Sequence, residues 1–450
     1  MRDNNRQVWL VLSHGFNMDG RAASQTITDK IPHLLNLGIE PIVVSAITGT
    51  KDKVVEHHQV LPAGPVALRF DLRHYLKQRI SSRYLYRIAM TAISLVLLPF
   101  ILFEKLFIRI ETHWSWAVTA YFTGARIIRK RNPALVYSTG GAYAAHLAGY
   151  WLKRRTGLPW IAEIHDPMIF PGLTKNKMRM RFSAWLEGKI CKHADVVWWF
   201  TEEALARARA RHPELGERGH CLIPGSNPPE FKRAAYRRGK HLVIGHFGSL
   251  AETRNLEFFL QGLRLVLEKS PQWADHIRLH LYGGGIDPVS ARAIKDFPHS
   301  EMIEQFGRLE TDPNTGESGR NRVLKRMNAA DCLLLLHGTV PFCEEYIPSK
   351  MYEYLWTQRP ILALVWHNPQ MEHMLRELGH WAVKADDPDE IASVLEELHA
   401  RWIHDDLADS GAASPYTAEA ATRQILALTR ECLTHHGNRT ASLSHQKPLR

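Results

Sequence analysis

Two glutamates eight residues apart, Glu345 and Glu353, stand in the stretch CEEYIPSKMYEYLWTQRPILALV with Ser349 and Lys350 between them. A carboxylate that accepts both hydroxyls of a vicinal diol is the usual clamp for a ribose, and Glu353, early in a helical stretch, has the type and place for it. Pro348 suits the first position of that helix, which leaves Ser349, the Lys350 ammonium and exposed backbone amides at its start. Amides and a cation so placed suit a diphosphate. A second stretch, HFGSLAETRN, carries a strand through Gly248 and Ser249 into a helix near Asn255, where backbone amides again meet phosphate. In EIHDP, His165 and Asp166 close the carboxyl end of another strand.

These residues need elements to hold them. Short apolar runs alternate with amphipathic stretches along the chain, the pattern of parallel α/β layers. VWLVLSH, EPIVVSA, LVYSTGG, WIAEIHD and DVVWWFTE read as buried strands that end in polar or glycine-rich residues. GSNPPEFKRAAYRRGK, rich in Pro, Gly and charge, reads as a linker. A second series follows in HLVIGHFGS, IRLHLYGGG, EMIEQFG, DCLLLLHG and PILALVW. The helix between the first two of these carries Leu256, Phe259, Leu260 and Leu263 on one stripe. The expected domains are 1–226 and 227–414, a helix over 415–434 that crosses back to the first, and a disordered tail over 435–450. Open parallel sheets bind ligands beyond the carboxyl ends of their strands, so the expected site is the cleft that two such domains face.

The pair Glu345 and Glu353 with PSKMYEYL and RPILA resembles the donor-binding segment of glycosyltransferase family 4, and the PSKMYEYL variant resembles members that build bacterial cell-surface polysaccharides. The resemblance implies the GT-B fold, two Rossmann-like doubly wound domains facing a central cleft, and a retaining transfer from a nucleoside diphosphate sugar. It implies that Glu353 binds the ribose and that Glu345 sits near the donor sugar and its phosphate. Tyr346, Ile347 and Pro348 stand where the family often has Gly-Phe-Gly. It further implies that Arg254 meets the diphosphate, that backbone around Gly307 and Arg308 meets the base, and that His165 contacts the sugar near the reacting carbon. The loop from Asn17 to Arg21, with Asp19 and Gly20, resembles the family's first loop on the acceptor side; Gly140, Gly141 and Asp166 are placed there with it. Such enzymes use basic side chains in place of a metal, so no metal or cofactor is expected.

Composition narrows the rest. Lys and Arg number 57 against 46 Asp and Glu, a net charge of +11 that favours anionic partners. The 5 cysteines are scattered without a Cys-x-x-Cys pair, which fits a reducing cytoplasm better than a disulfide framework. There is no Gly-x-Ser-x-Gly, His-Glu-x-x-His or P-loop sequence, and LYGGG lacks the dinucleotide spacing. Basic clusters at Arg126 to Arg131 and Lys153 to Arg155 lack interleaved aromatics and read as a membrane-facing or solvated surface, with no nucleic acid expected.

The uncharged run 88–103 has basic and aromatic flanks, with Lys77, Arg79, Arg83, Tyr84, Tyr86 and Arg87 before it and Lys105, Arg109, Trp114 and Trp116 after. At ~1.5 Å per residue it reaches about 24 Å, short of a ~30 Å hydrocarbon core, and Pro99 is expected to kink or end it. It reads as a segment dipping into one leaflet on the inner face of the cell membrane; a core helix and a true span are the alternatives. The expected partners are a nucleotide-sugar donor, a glycan or lipid-linked acceptor and a membrane surface. A nucleotide-sugar epimerase on the same fold and a non-catalytic polysaccharide-assembly module are the rival functions.

Overall fold

The computed structural model describes residues 6–18, 21–110, 112–169, 176–233, 235–407 and 414–444, with side chains as far as 434. The chain divides into two compact units: the residues up to Pro224 with those from Ala418 onward, and Gly225–Thr417.

The first unit is built on seven strands: β1 (Gln7–Leu12), β2 (Ile39–Ser45), β3 (Glu56–Gln59), β4 (Leu135–Gly140), β5 (Trp160–Ile164), β6 (Val196–Trp199) and β7 (Gly219–Cys221). They lie in the order β3-β2-β1-β4-β5-β6-β7, and every pairing is parallel. Parallel strands covered on both faces read as continuous apolar runs, and β4 and β5 are buried along their whole length. The long helix that opens at Ala418 packs on this unit, with Ile425 and Leu426 in one cluster with Leu34, Val196 and Leu222. It continues to Ser444, into the stretch expected to be a tail.

The second unit carries β8 (Leu242–Phe247), β9 (Ile277–Tyr282), β10 (Ile303–Gly307), β11 (Cys332–Leu336), β12 (Ile361–Val365) and β13 (Trp381–Lys384), in the order β10-β9-β8-β11-β12-β13. All pairings here are parallel too. Each sheet is doubly wound about its first strand, so each unit is Rossmann-like and the fold is GT-B. β10 lies at an edge and is largely exposed, whereas β11 and β12 are wholly buried.

The apolar run differs from expectation. It belongs to a 25-residue helix, Arg83–Phe107, capped by the Ser82 hydroxyl, which accepts from the Leu85 amide at 3.4 Å. Pro99 lies inside that helix and does not end it. Proline removes one backbone hydrogen bond, and the flanking Leu, Ile and Phe turns carry the helix through. At ~1.5 Å per residue the helix is about 37 Å long, so 88–103 is not short of a bilayer core once its flanking turns are counted. Its residues turned inward are Met90, Ile101 and Glu104. Val96 is 70% exposed, Phe100 63% and Phe107 70%, which is not the pattern of a core helix. Glu104 is anchored by Trp114 Nε1 at 2.8 Å and the Val66 amide at 3.0 Å. Trp116, expected among the interfacial aromatics, is instead wholly buried in the core of the first unit.

Candidate functional site

In the second unit the candidate residues gather at the carboxyl ends of β8 to β11. β8 stops at Phe247, and the Gly248 amide donates to the Tyr282 carbonyl at 2.8 Å. Gly283 must be glycine, because a Cβ there would lie 1.9 Å from the Gly248 carbonyl oxygen. Gly248, Tyr282, Gly283, Gly284, Gly285, Gln305, Gly307 and Arg308 line a cavity of about 500 Å³, together with His246. Tyr282 is its aromatic lining, and that ring is held in a stack, on Phe247 at 4.6 Å and on Phe306 at 4.7 Å between centroids. Gly248 and Arg308, far apart in sequence, therefore meet on one surface.

Ser249 leads into a tight turn in which Ala251 and Arg254 exchange backbone hydrogen bonds. The Arg254 guanidinium donates to the Ser249 carbonyl from Nε at 3.2 Å and Nη2 at 2.7 Å, and it also hydrogen-bonds the Tyr346 hydroxyl. Arg254 thus ties the loop after β8 to the residue next to Glu345. The helix that follows begins at Glu257, two residues beyond Asn255.

Glu345 ends the short turn Pro341–Glu345 and is 4% exposed. Its segment is pinned from behind. Asn368 Nδ2 donates to the carbonyls of Cys343, Glu344 and Tyr346 at 3.3, 3.2 and 3.0 Å. His337 accepts the Trp366 amide at Nδ1 (3.1 Å), so its proton is on Nε2, which donates to the Tyr346 carbonyl at 2.9 Å. Burial lowers the His337 pKa to about 4, so the ring holds this role as a neutral group.

The next helix is Lys350–Leu355, six residues, with Ser349 at its N-cap. Pro348 therefore precedes the helix and does not occupy its first position. Ser349 makes no side-chain cap. The Glu353 carboxylate is buried and ion-paired with Lys350, one turn back, and with Arg320 Nε at 3.7 Å. Lys350, expected to face a diphosphate, faces Glu353. Arg320 was missed in the sequence, where it is one of several basic residues on the helix Gly319–Ala329. Glu345, Glu353, Ser349, Lys350 and Arg254 are not among the residues that line the cavity.

In the first unit, β4 and β5 bring four candidates together. Gly140 ends β4 at φ +121°, a backbone conformation open to glycine. Next to it, the Cβ position of Gly141 is 3.4 Å from Asp166 Oδ2 and 3.8 Å from Ala23 Cβ. Asp166 is exposed, and Arg21 is the N-cap of the helix Ala22–Thr28. Asp19 and Gly20 lie outside the described residues. His165 is 9% exposed and hydrogen-bonds Glu163 Oε1 through Nε2 at 2.8 Å, with Thr139 Oγ1 at 3.0 Å.

Glu163 is the residue that the sequence reading passed over. It is fully buried, and five donors converge on it: Lys30 Nζ at 2.6 Å, Tyr137 OH at 2.7 Å, Thr139 Oγ1 at 2.7 Å, His165 Nε2 at 2.8 Å and Trp198 Nε1 at 3.1 Å. Burial alone would raise its pKa. The Lys30 ammonium and the His165 hydrogen bond outweigh that and hold the carboxyl well below the usual range. Since a carboxylate only accepts, His165 carries its proton on Nε2 and turns Nδ1 elsewhere. The signal was present, because WIAEI is a buried strand interrupted by one acid. Among the described residues no group of three or more His, Cys, Asp or Glu is placed to hold a metal ion.

Residues 54–221 match the family model described as glycosyl transferase 4-like domain, so the resemblance to glycosyltransferase family 4 holds. No curated protein matches the chain in sequence. Among solved structures, sucrose-phosphate synthase from Thermosynechococcus elongatus is similar over 98% of this chain and 100% of its own, at 13% identity and a TM-score of 0.56. A TarM variant from S. aureus, in complex with fondaparinux, α-GlcNAc-glycerol and UDP, is similar over 94% of this chain and 99% of its own, at 9% identity and a TM-score of 0.58. α,α-Trehalose-phosphate synthase (UDP-forming) from Burkholderia vietnamiensis is similar over 99% of this chain and 100% of its own, at 12% identity and a TM-score of 0.57. At these identities the likeness is one of fold.

Proposed function

We propose that this chain transfers a sugar, with retention, from a nucleoside diphosphate sugar to a glycan or lipid-linked acceptor in cell-surface polysaccharide synthesis. The observation that carries the reading is the glycine-rimmed cavity at the carboxyl ends of β8, β9 and β10, with Arg308 at its lip and the Arg254 loop beside it. A doubly wound sheet binds a nucleotide at this end.

The base occupies that cavity, against the backbone of Gly307 and Arg308, and the ribose extends from it toward Glu353. Glu353 accepts the ribose hydroxyls, and Lys350 and Arg320 hold its carboxylate in place for the purpose. When donor arrives, Lys350 is free to turn from Glu353 toward the diphosphate, because the hydroxyls then share its carboxylate. As the bond from the anomeric carbon to the diphosphate breaks, the departing oxygen takes the electron pair. Arg254, Lys350 and the amides after Gly248 and Ser249 offset that charge without a metal ion, which is the main catalytic term. The acceptor hydroxyl forms the new bond on the face the diphosphate leaves, and its proton goes to the departing phosphate oxygen. Glu345 is assigned to the donor sugar, and His165 to contact with the sugar. Asp19, Gly20, Arg21, Gly140, Gly141 and Asp166 form the acceptor side. The exposed apolar helix Arg83–Phe107 holds the enzyme on the inner face of the cell membrane, near a lipid-linked acceptor.

A thermal-shift panel of UDP-, GDP-, ADP- and TDP-sugars tests the reading, since a ligand that binds only the folded state raises its melting temperature. Selective stabilisation by one base is expected, and Glu353→Ala is expected to abolish it. Near-normal nucleotide affinity in that variant would sink the assignment. A changed sugar released from donor alone, with no acceptor present, would mark an epimerase instead.

A further inference from the structure

His246 sits next to the end of β8, paired in register with Leu334 of β11, and is 4% exposed. Its Nδ1 lies 3.1 Å from the Leu334 carbonyl oxygen. A carbonyl oxygen can only accept, so Nδ1 carries the proton. Burial lowers the imidazole pKa to about 4, against the pull of that hydrogen bond, and the ring is neutral at physiological pH. A neutral imidazole protonated at Nδ1 has a bare lone pair at Nε2, so Nε2 is an obligate acceptor. Among the described residues, no donor reaches this buried atom. An acceptor buried without a donor is costly, and each such case calls for an explanation.

The surroundings supply one. His246 lines the 500 Å³ cavity. The position that a Cβ of residue 248 would take is 3.6 Å from Nε2 and 3.8 Å from Cε1. Any side chain at that position would cover the imidazole; with Gly248, only backbone lies there. Gly284 and Gly285 keep the adjoining rim bare, and nothing stands within 4 Å of a Cβ placed on Gly285. Polar selectivity in a cavity lined largely by glycine backbone, aliphatic side chains and the Tyr282 ring must come from a few fixed groups, and His246 is one whose proton position is already set.

We propose that His246 is a specificity residue of the donor pocket, with Nε2 accepting a hydrogen bond from an O–H or N–H of the nucleoside part of the ligand. This rests on the reading of the cavity as a nucleotide site. An ionised diphosphate oxygen has no proton to give, so the group at Nε2 is a ribose hydroxyl or a base N–H. A site built to accept from such a group rejects analogues that lack it, because the buried acceptor is left unpaired.

Titration calorimetry of the full chain with UDP, GDP and ADP selects the nucleotide to use. Its 2′-deoxy counterpart and its base-N-methylated counterpart then tell the two sources apart. One of these two is expected to bind wild type about ten-fold or more weaker than its parent, and the other to match it. His246→Asn keeps a donor for the Leu334 carbonyl but withdraws the acceptor. It is expected to weaken the parent nucleotide by a similar factor and to bind the discriminating analogue no worse than wild type does. His246→Gln, whose carboxamide oxygen reaches the Nε2 position, is expected to recover much of the loss. If wild type binds the parent and both analogues equally, the proposal is overturned without any variant having to fold. Parent binding by His246→Asn at wild-type strength overturns it as well. If no nucleotide binds wild type, the donor-site reading itself falls, which is a separate result.

Discussion

Replacing Lys30 by Met strands a carboxylate in the core of the first unit. Lys30 is 1% exposed and Glu163 is fully buried, with 2.6 Å between Nζ and Oε2. The methionine has nearly the same length and volume, so packing changes little while the positive charge goes. Four hydrogen bonds to Glu163 would remain, from Tyr137, Thr139, His165 and Trp198. Removing one partner of a buried pair costs about 3–5 kcal/mol, because an uncompensated charge stays inside. For a unit of this size that lowers the melting temperature by about 6–20 °C. The pH dependence sharpens the test. A carboxyl held below its unfolded pKa contributes stability above that value, about 4.3, and loses it as pH falls toward the folded one. In wild type this loss begins only in acid. Without Lys30, burial raises the carboxyl pKa above its unfolded value, so the native state takes up the proton first and the variant's deficit against wild type shrinks as pH falls toward 4. Adding Glu163→Gln to Lys30→Met is expected to recover stability. The amide oxygen then accepts from Tyr137 and Trp198, and its N–H groups donate to Thr139 and to a His165 switched to its other tautomer. Urea denaturation from pH 4 to 8 measures all of this. A Lys30→Met variant less than about 1 kcal/mol below wild type at pH 8, or a deficit that stays the same down to pH 4, would refute the reasoning.

The Lys30→Met/Glu163→Gln double variant, which leaves no buried charge unpaired, should keep the fold and lower transfer, with a changed pH profile, since His165 can no longer be held as an Nε2–H donor; histidine nitrogen NMR reads the tautomer directly. Gly283→Ala forces a methyl to within 1.9 Å of the Gly248 carbonyl oxygen. It should cost about 1–3 kcal/mol and abolish nucleotide binding, measured by melting and calorimetry. Serine at both Val96 and Phe100, which are 70% and 63% exposed, should release the chain from membrane pellets with melting behaviour unchanged. Arg320→Ala should weaken nucleotide binding less than Glu353→Ala does, because Lys350 still pairs with the same carboxylate.

Much of this was legible in one dimension. Strands such as CLLLL and ILALV can only be buried parallel strands, and their alternation with amphipathic stretches gives two doubly wound units. Local chemistry also announced the glycine turn after β9 and the loop that holds Arg254. What the sequence by itself determined was therefore the periodic and the contiguous: fold class, strand ends, and the residues beside them. The tertiary structure decided pairings between groups distant along the chain. Arg320 turned out to pair with Glu353, Trp116 entered the core, and Pro99 was carried within a helix longer than its uncharged stretch. Lys30 found Glu163 across 133 positions, and the Leu334 carbonyl, 88 positions away, fixed the His246 proton on Nδ1. Sequence spacing specifies neighbours on one element, whereas the protonation and partners of a buried polar group depend on whichever elements pack against it. The opening pair divides along that line. The spacing of Glu345 and Glu353 was there to be read, and so was Lys350 one turn before Glu353, but Arg320, and the Asn368 and His337 side chains that pin the Glu345 segment, come from other elements of the second unit.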